Sequence, residues 1–141
     1  MLRLVYADIH ALAENGDYPL SDYRKSKCAR QRKPETRRLG IGAELLLIRV
    51  LRELCPDLSL PLRIETDENG KPFFPELPFS FSLSHSGDLA VCAVSDRPVG
   101  VDAEEIRPVN TALMKRFFSP DEQRRVEGAS DPEREFTRIW T

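Results

Sequence analysis

Apolar and polar residues alternate in the middle of the chain. Phe79, Phe81 and Leu83 interleave with Ser80, Ser82 and Ser84, the period of two that a half-buried strand requires. Ser86-Gly87-Asp88 reads as a tight turn. Leu89–Val94 is apolar on both faces, as a central strand is. After a turn at Asp96-Arg97-Pro98, Val99 and Val101 point one way and Gly100, Asp102 and Glu104 the other. The pattern predicts three short strands folded against one another. Ser84 and His85 end one of them, and two carboxylates sit on another.

The same reasoning places a first strand over Leu2–Ile9 and a short basic helix over Asp22–Gln31, with Ser21 or Asp22 as its N-cap. Pro34–Cys55 is the longest predicted helix. Its stripe of Ile41, Leu45, Leu47, Ile48, Val50, Leu51 and Leu54 is too wide for a surface helix, so it is the expected main core helix. Leu60, Leu62 and Ile64 alternate with Arg63 and Glu65, predicting a strand that leads into the Asn69-Gly70 hairpin signal. Phe73 and Phe74 fall on its return strand. Further on, Asn110–Phe118 reads as a helix with Leu113, Phe117 and Phe118 inward. Ser119-Pro120-Asp121-Glu122 is a capping box that opens a helix ending at Gly128. Ser130-Asp131-Pro132-Glu133 opens a last helix with Phe136, Ile139 and Trp140 as its apolar stripe. These elements predict an α+β fold, a small antiparallel or mixed sheet packed on one long helix and followed by further helices.

Hydrophobic residues make up 40% of the 141 and charged residues 31%, the balance of a globular, soluble chain. A net charge of −2 gives no reason to expect nucleic acid as a partner. Cys28, Cys55 and Cys92 show no metal-site spacing, which favours a reducing cytoplasm over a disulfide framework. No stretch approaches a signal peptide or a membrane span.

Two features carry candidate chemistry. On a strand, Asp102 and Glu104 would lie about 6.6 Å apart on one face. Two hard oxygen donors at that spacing can share Mg²⁺, with water and phosphate oxygens completing the shell; the same spacing also suits a solvated acidic face. Arg24, Lys25 and Lys27 cluster on the basic helix, with Arg37 and Arg38 soon after. Arg offers phosphate a planar fork and Lys a point charge.

The ordered series SLSHSG, a hydrophobic strand, VGVDAEE, RFFSPDE and a final Ile-Trp on a helix resembles the 4′-phosphopantetheinyl transferases of the Sfp type. These enzymes move phosphopantetheine from coenzyme A to a serine of an acyl or peptidyl carrier protein, in fatty-acid, polyketide or nonribosomal-peptide synthesis. The resemblance implies that Arg24 and Lys27, followed by Cys28, hold the 3′-phosphate of coenzyme A, with Lys25 as the alternative if the alignment moves by one. It adds Arg38, or Arg37, and places Lys71 and Pro72 of the Gly-Lys-Pro run beside the coenzyme A phosphates, along with Ser84 and His85. Beside phosphates the His85 pKa should rise, favouring the cation that binds them. Asp102 and Glu104 become the expected Mg²⁺ ligands, with His85 positioning phosphate.

The resemblance also implies two lobes, residues 1–98 as the first and 99–141 as the start of the second. It expects a Lys-Glu pair soon after Trp140, the Glu being a third metal ligand and the base for the carrier serine. The chain reaches Thr141 without it. The 141 residues are therefore expected to be incomplete and inactive alone, and open to self-association through the last helix. Two other functions fit parts of the sequence. One is a non-catalytic half-enzyme that grips coenzyme A or a carrier protein and needs a partner segment; the other is a Mg²⁺-dependent phosphohydrolase.

Overall fold

The computed structural model describes residues 1–141 and contains both helices and small antiparallel sheets, an α+β fold. The chain forms two compact units, Met1–Ala103 and Glu104–Thr141. Residues 99–103, grouped with the second lobe on sequence, fall in the first unit.

The first unit is built on a three-stranded antiparallel sheet. Its strands are β1 (Leu2–Asp8), β4 (Ser80–Ser86) and β5 (Leu89–Ser95), in the order β1-β5-β4. β5 is central, as its apolar run requires, and Ala90, Cys92 and Val94 are buried. Gly87, at φ +58°, makes the tight turn that joins β4 to β5. The register pairs His85 with Ala90 and Ser84 with Val91. Phe81, Leu83 and His85 therefore share one face of β4, while the serines take the other.

The long helix α2 (Pro34–Leu54) packs on the sheet through a core that includes Ala43, Leu47, Val50, Leu51, Phe81, Cys92 and Val94. Pro34 stands in its first turn, where a missing N–H costs nothing. The short helix α1 (Asp22–Arg30) starts at N-cap Ser21, whose side chain accepts from the Arg24 amide. A second sheet is the small hairpin of β2 (Glu65–Thr66) and β3 (Pro72–Phe73). Its loop depends on Gly70 at φ +79° and on Asp67, whose carboxylate accepts from the amides of Asn69 and Lys71.

Three expectations need correction. Val99–Glu104 is not a third strand beside β4 and β5; that place is taken by β1. The segment runs instead along the serine face of β4. The Ser82 hydroxyl accepts from the Val101 amide at 3.1 Å, and the Ser84 hydroxyl from the Ala103 amide at 3.0 Å. Serine side chains occupy the donors that a ladder would use, so the alternation is real but the backbone pairing is absent. Leu60–Glu65 likewise forms no full strand. Leu62 is buried and Leu60 and Ile64 pack on the core, but only Glu65 and Thr66 find a partner strand. Pro61, without an N–H, interrupts any ladder.

The second unit is helical: α3 (Thr111–Phe117), α4 (Pro120–Glu127) and α5 (Pro132–Trp140). Asn110, Ser119 and Asp131 cap them, and Ser119 with Glu122 forms the expected capping box. Met114, Phe118, Val126 and Phe136 make its small core. Phe117 is the third correction, being 57% exposed while Met114 is buried in its stead. Phe136 is covered by its own unit, and Trp140 is 44% exposed.

Gly42 lies where α2 meets Ile9, and a Cβ there would come within 2.8 Å of the Ile9 Cγ2. Both neighbours belong to the packed core, so Gly42→Ala is expected to destabilise the fold by about 1–3 kcal/mol. Urea unfolding of the two proteins measures this; equal midpoints would show that Ile9 can give way.

Candidate functional site

A cleft of about 270 Å³ opens in the first unit where α1, the small hairpin and β4 converge. Arg24 and Lys27 come from α1, Lys71 and Pro72 from the hairpin, and His85 from the end of β4. Four of these residues are basic or able to carry positive charge, so the cleft suits an anion with several oxygens.

Each side chain is placed by its element. Arg24 and Lys27, one helical turn apart, rise from the same face of α1. Tyr23 also lines the cleft. The Lys27 ammonium lies 4.7 Å from its ring centroid and the Arg24 guanidinium 5.8 Å, within cation–π range. Lys71 follows the Asp67–Gly70 loop, whose hydrogen bonds fix its backbone. His85 continues the buried face of β4 beyond Leu83 and is half-buried as a result. Burial pulls the His85 pKa below the usual histidine value, and the charge of Arg24 pulls it further. The rise expected beside phosphate therefore starts from a depressed value.

The structure separates the neighbouring basic residues. Lys25 faces Asp22 on the exposed side of α1, and Arg37 is paired with Glu14 and donates to the Gln31 carbonyl at 2.8 Å. Arg38 is not among the cleft walls; its Nη1 donates to the His10 carbonyl at 3.0 Å. Ser84 does not line the cleft either. Its hydroxyl donates to the Asp102 carboxylate at 2.7 Å, so it orients that carboxylate.

Both hydrogen bonds to Asp102, from Ser84 and from the Ala103 amide at 3.0 Å, fall on Oδ1. Glu104 faces Arg107 Nη2 at 3.1 Å, yet its Oε1 is buried and makes no aligned hydrogen bond. Carboxylate oxygens are donors of the type a hard divalent cation takes, and here the Glu104 Oε1 is ion-paired with Arg107. No group of three or more His, Cys, Asp and Glu side chains comes together.

Sequence reasoning missed Glu44, a polar residue inside the apolar stripe of α2. It is fully buried. Its carboxylate accepts from the Ser21 amide at 2.6 Å and hydroxyl at 3.0 Å, and faces Arg24 Nε at 3.4 Å. The signal was one charged residue in an otherwise apolar position, which reads as packing tolerance until its partners are known. Gln31 was also missed. It lines the cleft, and its side-chain oxygen is buried without a partner.

The His85 shift has a measurable sign. Folding favours the neutral imidazole, so its contribution to stability is complete above the ordinary pKa of 6.5 and is lost as pH falls through the lowered folded value. A ¹H–¹⁵N titration of the His85 ring should give a midpoint below 6.5. His85→Gln should flatten the acid limb of the stability profile. A midpoint at or above 6.5 would contradict the burial argument.

Known proteins are similar to this chain over part of their length. Residues 98–141 match the family model of the 4′-phosphopantetheinyl transferase superfamily. The chain is 41% identical over 113 residues to 4′-phosphopantetheinyl transferase psf-1 of Bacillus pumilus, covering 76% of this chain and 47% of that one. It is 36% identical over 105 residues to 4′-phosphopantetheinyl transferase Sfp of Bacillus subtilis, 73% of this chain and 46% of that one. With 4′-phosphopantetheinyl transferase AcpT of Salmonella typhi it shares 44% over 81 residues, 52% and 42% of the two chains. The chain spans about half the length of the curated relatives it matches. From the family match at 98–141 and these relatives across most of its length, the chain belongs to the 4′-phosphopantetheinyl transferase superfamily, in its Sfp-type branch.

Proposed function

We propose that the chain contributes to transfer of 4′-phosphopantetheine from coenzyme A to a serine of an acyl or peptidyl carrier protein. The observation that carries this reading is the cleft. Three segments far apart in sequence bring Arg24, Lys27, Lys71 and His85 around one space, and such convergence of cations is what a nucleotide carrying several phosphates needs. No helix is long and apolar enough to cross a membrane, and the three cysteines are unpaired, so the proposed setting is the reducing cytoplasm.

In the proposed reaction the carrier serine oxygen attacks the β-phosphorus of coenzyme A. The new O–P bond forms as the bond to the α-phosphate oxygen breaks, 3′,5′-adenosine diphosphate leaves with the electron pair, and the serine hydroxyl proton passes to water. Arg24, Lys27 and Lys71 bind and orient the phosphates, which removes the entropy cost of alignment before the bond changes. His85 is neutral in the empty cleft and takes a proton when an anion binds beside it, adding a donor and a charge. Asp102 and Glu104 would hold Mg²⁺, which when bound neutralises charge growing on the diphosphate. Ser84 orients Asp102 for that role.

Calorimetric titration tests the nucleotide half of this reading. Lys27→Ala and His85→Ala should each weaken coenzyme A by about tenfold or more, the worth of a charge-assisted contact, and weaken dephospho-coenzyme A much less. Equal losses for the two ligands would move these residues away from the 3′-phosphate. Because His85 takes up a proton on binding, coenzyme A affinity should fall as pH rises through the pKa of the bound state. In the full-length protein, Asp102→Ala should abolish Mg²⁺-dependent loading of a carrier protein while circular dichroism stays unchanged. Unimpaired loading would remove Asp102 from the metal site.

A further inference from the structure

Arg24 does not stand in the cleft as a free cation. It is 7% exposed, and behind it lies Glu44, fully buried. The two face each other at 3.4 Å, Nε to Oε2. Yet Arg24 Nε is buried and makes no hydrogen bond, so the pair is held by charge and not locked by an aligned donor. The other bonds of the carboxylate go to Ser21, at 2.6 Å and 3.0 Å. Ser21 in turn caps the Arg24 amide at 3.1 Å. One turn before Glu44 on the same face of α2 stands Gly40, where a Cβ would come within 2.8 Å of Arg24 Nη1. Arg24 thus lies against one face of α2, beside a carboxylate and a bare stretch of backbone, and lines the cleft.

From this geometry we infer that Glu44 tunes the cleft's affinity for phosphate: it holds Arg24 in the wall and cancels much of its charge without touching the ligand. The inference rests on the reading that the cleft takes a nucleotide phosphate. Paired this way, Arg24 supplies directed hydrogen bonds, and the net attraction for an anion comes from Lys27, Lys71 and protonated His85. A carboxylate so near also repels an incoming phosphate dianion, and in a partly buried cleft that repulsion is weakly screened. Glu44 is therefore a positioning residue whose loss acts in two opposed directions. A residue needed only for the fold would weaken stability and binding together. Here the fold should weaken and the binding should tighten.

Glu44→Gln separates these effects, because its amide oxygen still accepts from Ser21 while the charge is gone. Titration with adenosine 3′,5′-bisphosphate should show about tenfold tighter binding than wild type at low salt, a gain that shrinks as ionic strength rises. The gain should be smaller for adenosine 5′-monophosphate, which carries one phosphate fewer. Urea midpoints should fall over the same comparison. If Glu44→Gln does not fold, Glu44→Met, of similar volume, carries the same expected sign. Binding that is unchanged or weaker in the folded variant overturns the inference. Failure of the wild-type chain to bind adenosine 3′,5′-bisphosphate at all would instead remove the phosphate reading of the cleft.

Discussion

One buried carboxylate organises the first unit. Glu44 is carried into the core by α2, and a carboxylate there costs several kcal/mol of desolvation unless it is fully partnered. Its partners all belong to α1 or its N-cap: the Ser21 amide, the Ser21 hydroxyl and the Arg24 guanidinium. Satisfying Glu44 therefore fixes where α1 begins and how it lies against α2. Apolar packing could not do this alone, since Arg24 is the one buried residue of the short helix. Once α1 is pinned, Lys27 lies one turn along the same face, and the basic wall of the cleft follows.

The opposite wall comes from the sheet by a different route. The alternation of β4 sends Phe81, Leu83 and His85 to the helix side and Ser82 and Ser84 to the other. Phe81 packs on Phe74 with ring centroids 4.4 Å apart, which ties the hairpin bearing Lys71 to β4. The serine side gathers in residues 101–103 and holds the Asp102 carboxylate. One strand thus presents an imidazole to the cleft from one face and orients a candidate metal ligand from the other.

Much of this could be read from residues. Strong caps, a period of two and a wide apolar stripe placed β1, α1, α2, β4, β5 and the last three helices within a residue or two. Motif order pointed to the family and to seven candidate residues, of which Arg24, Lys27, Lys71, Pro72 and His85 line the cleft and Arg38 and Ser84 do not. The misses have a common cause: an element was predicted from its own residues when its partner decided the outcome. Val99–Glu104 alternates like a strand, but the neighbouring groups are serine hydroxyls, not a free backbone edge. Leu60–Ile64 buries the predicted side chains and still lacks a ladder. Phe117 and Met114 are close in register on α3, and only packing shows which is inward. Glu44 could not be weighted at all, because the worth of a buried charge lies entirely in what faces it.

The same point bears on what a basic motif means. Arg24, Lys25, Lys27, Arg37 and Arg38 look interchangeable in sequence, and their partners make them different. Arg37 is committed to Glu14, Lys25 to the exposed face, and Arg38 to a backbone carbonyl. Arg24 is balanced by a carboxylate, and Lys27 rests over the Tyr23 ring, which attracts a cation without neutralising it. A charge over a ring stays available to an anion; a charge opposite a buried carboxylate is available chiefly as geometry. Counting cations would therefore overstate the cleft's pull and misplace its source. In the proposed phosphate-binding role, the cleft's attraction would rest on Lys27 and Lys71, and on His85 only once protonated, while Arg24 would supply a fixed direction.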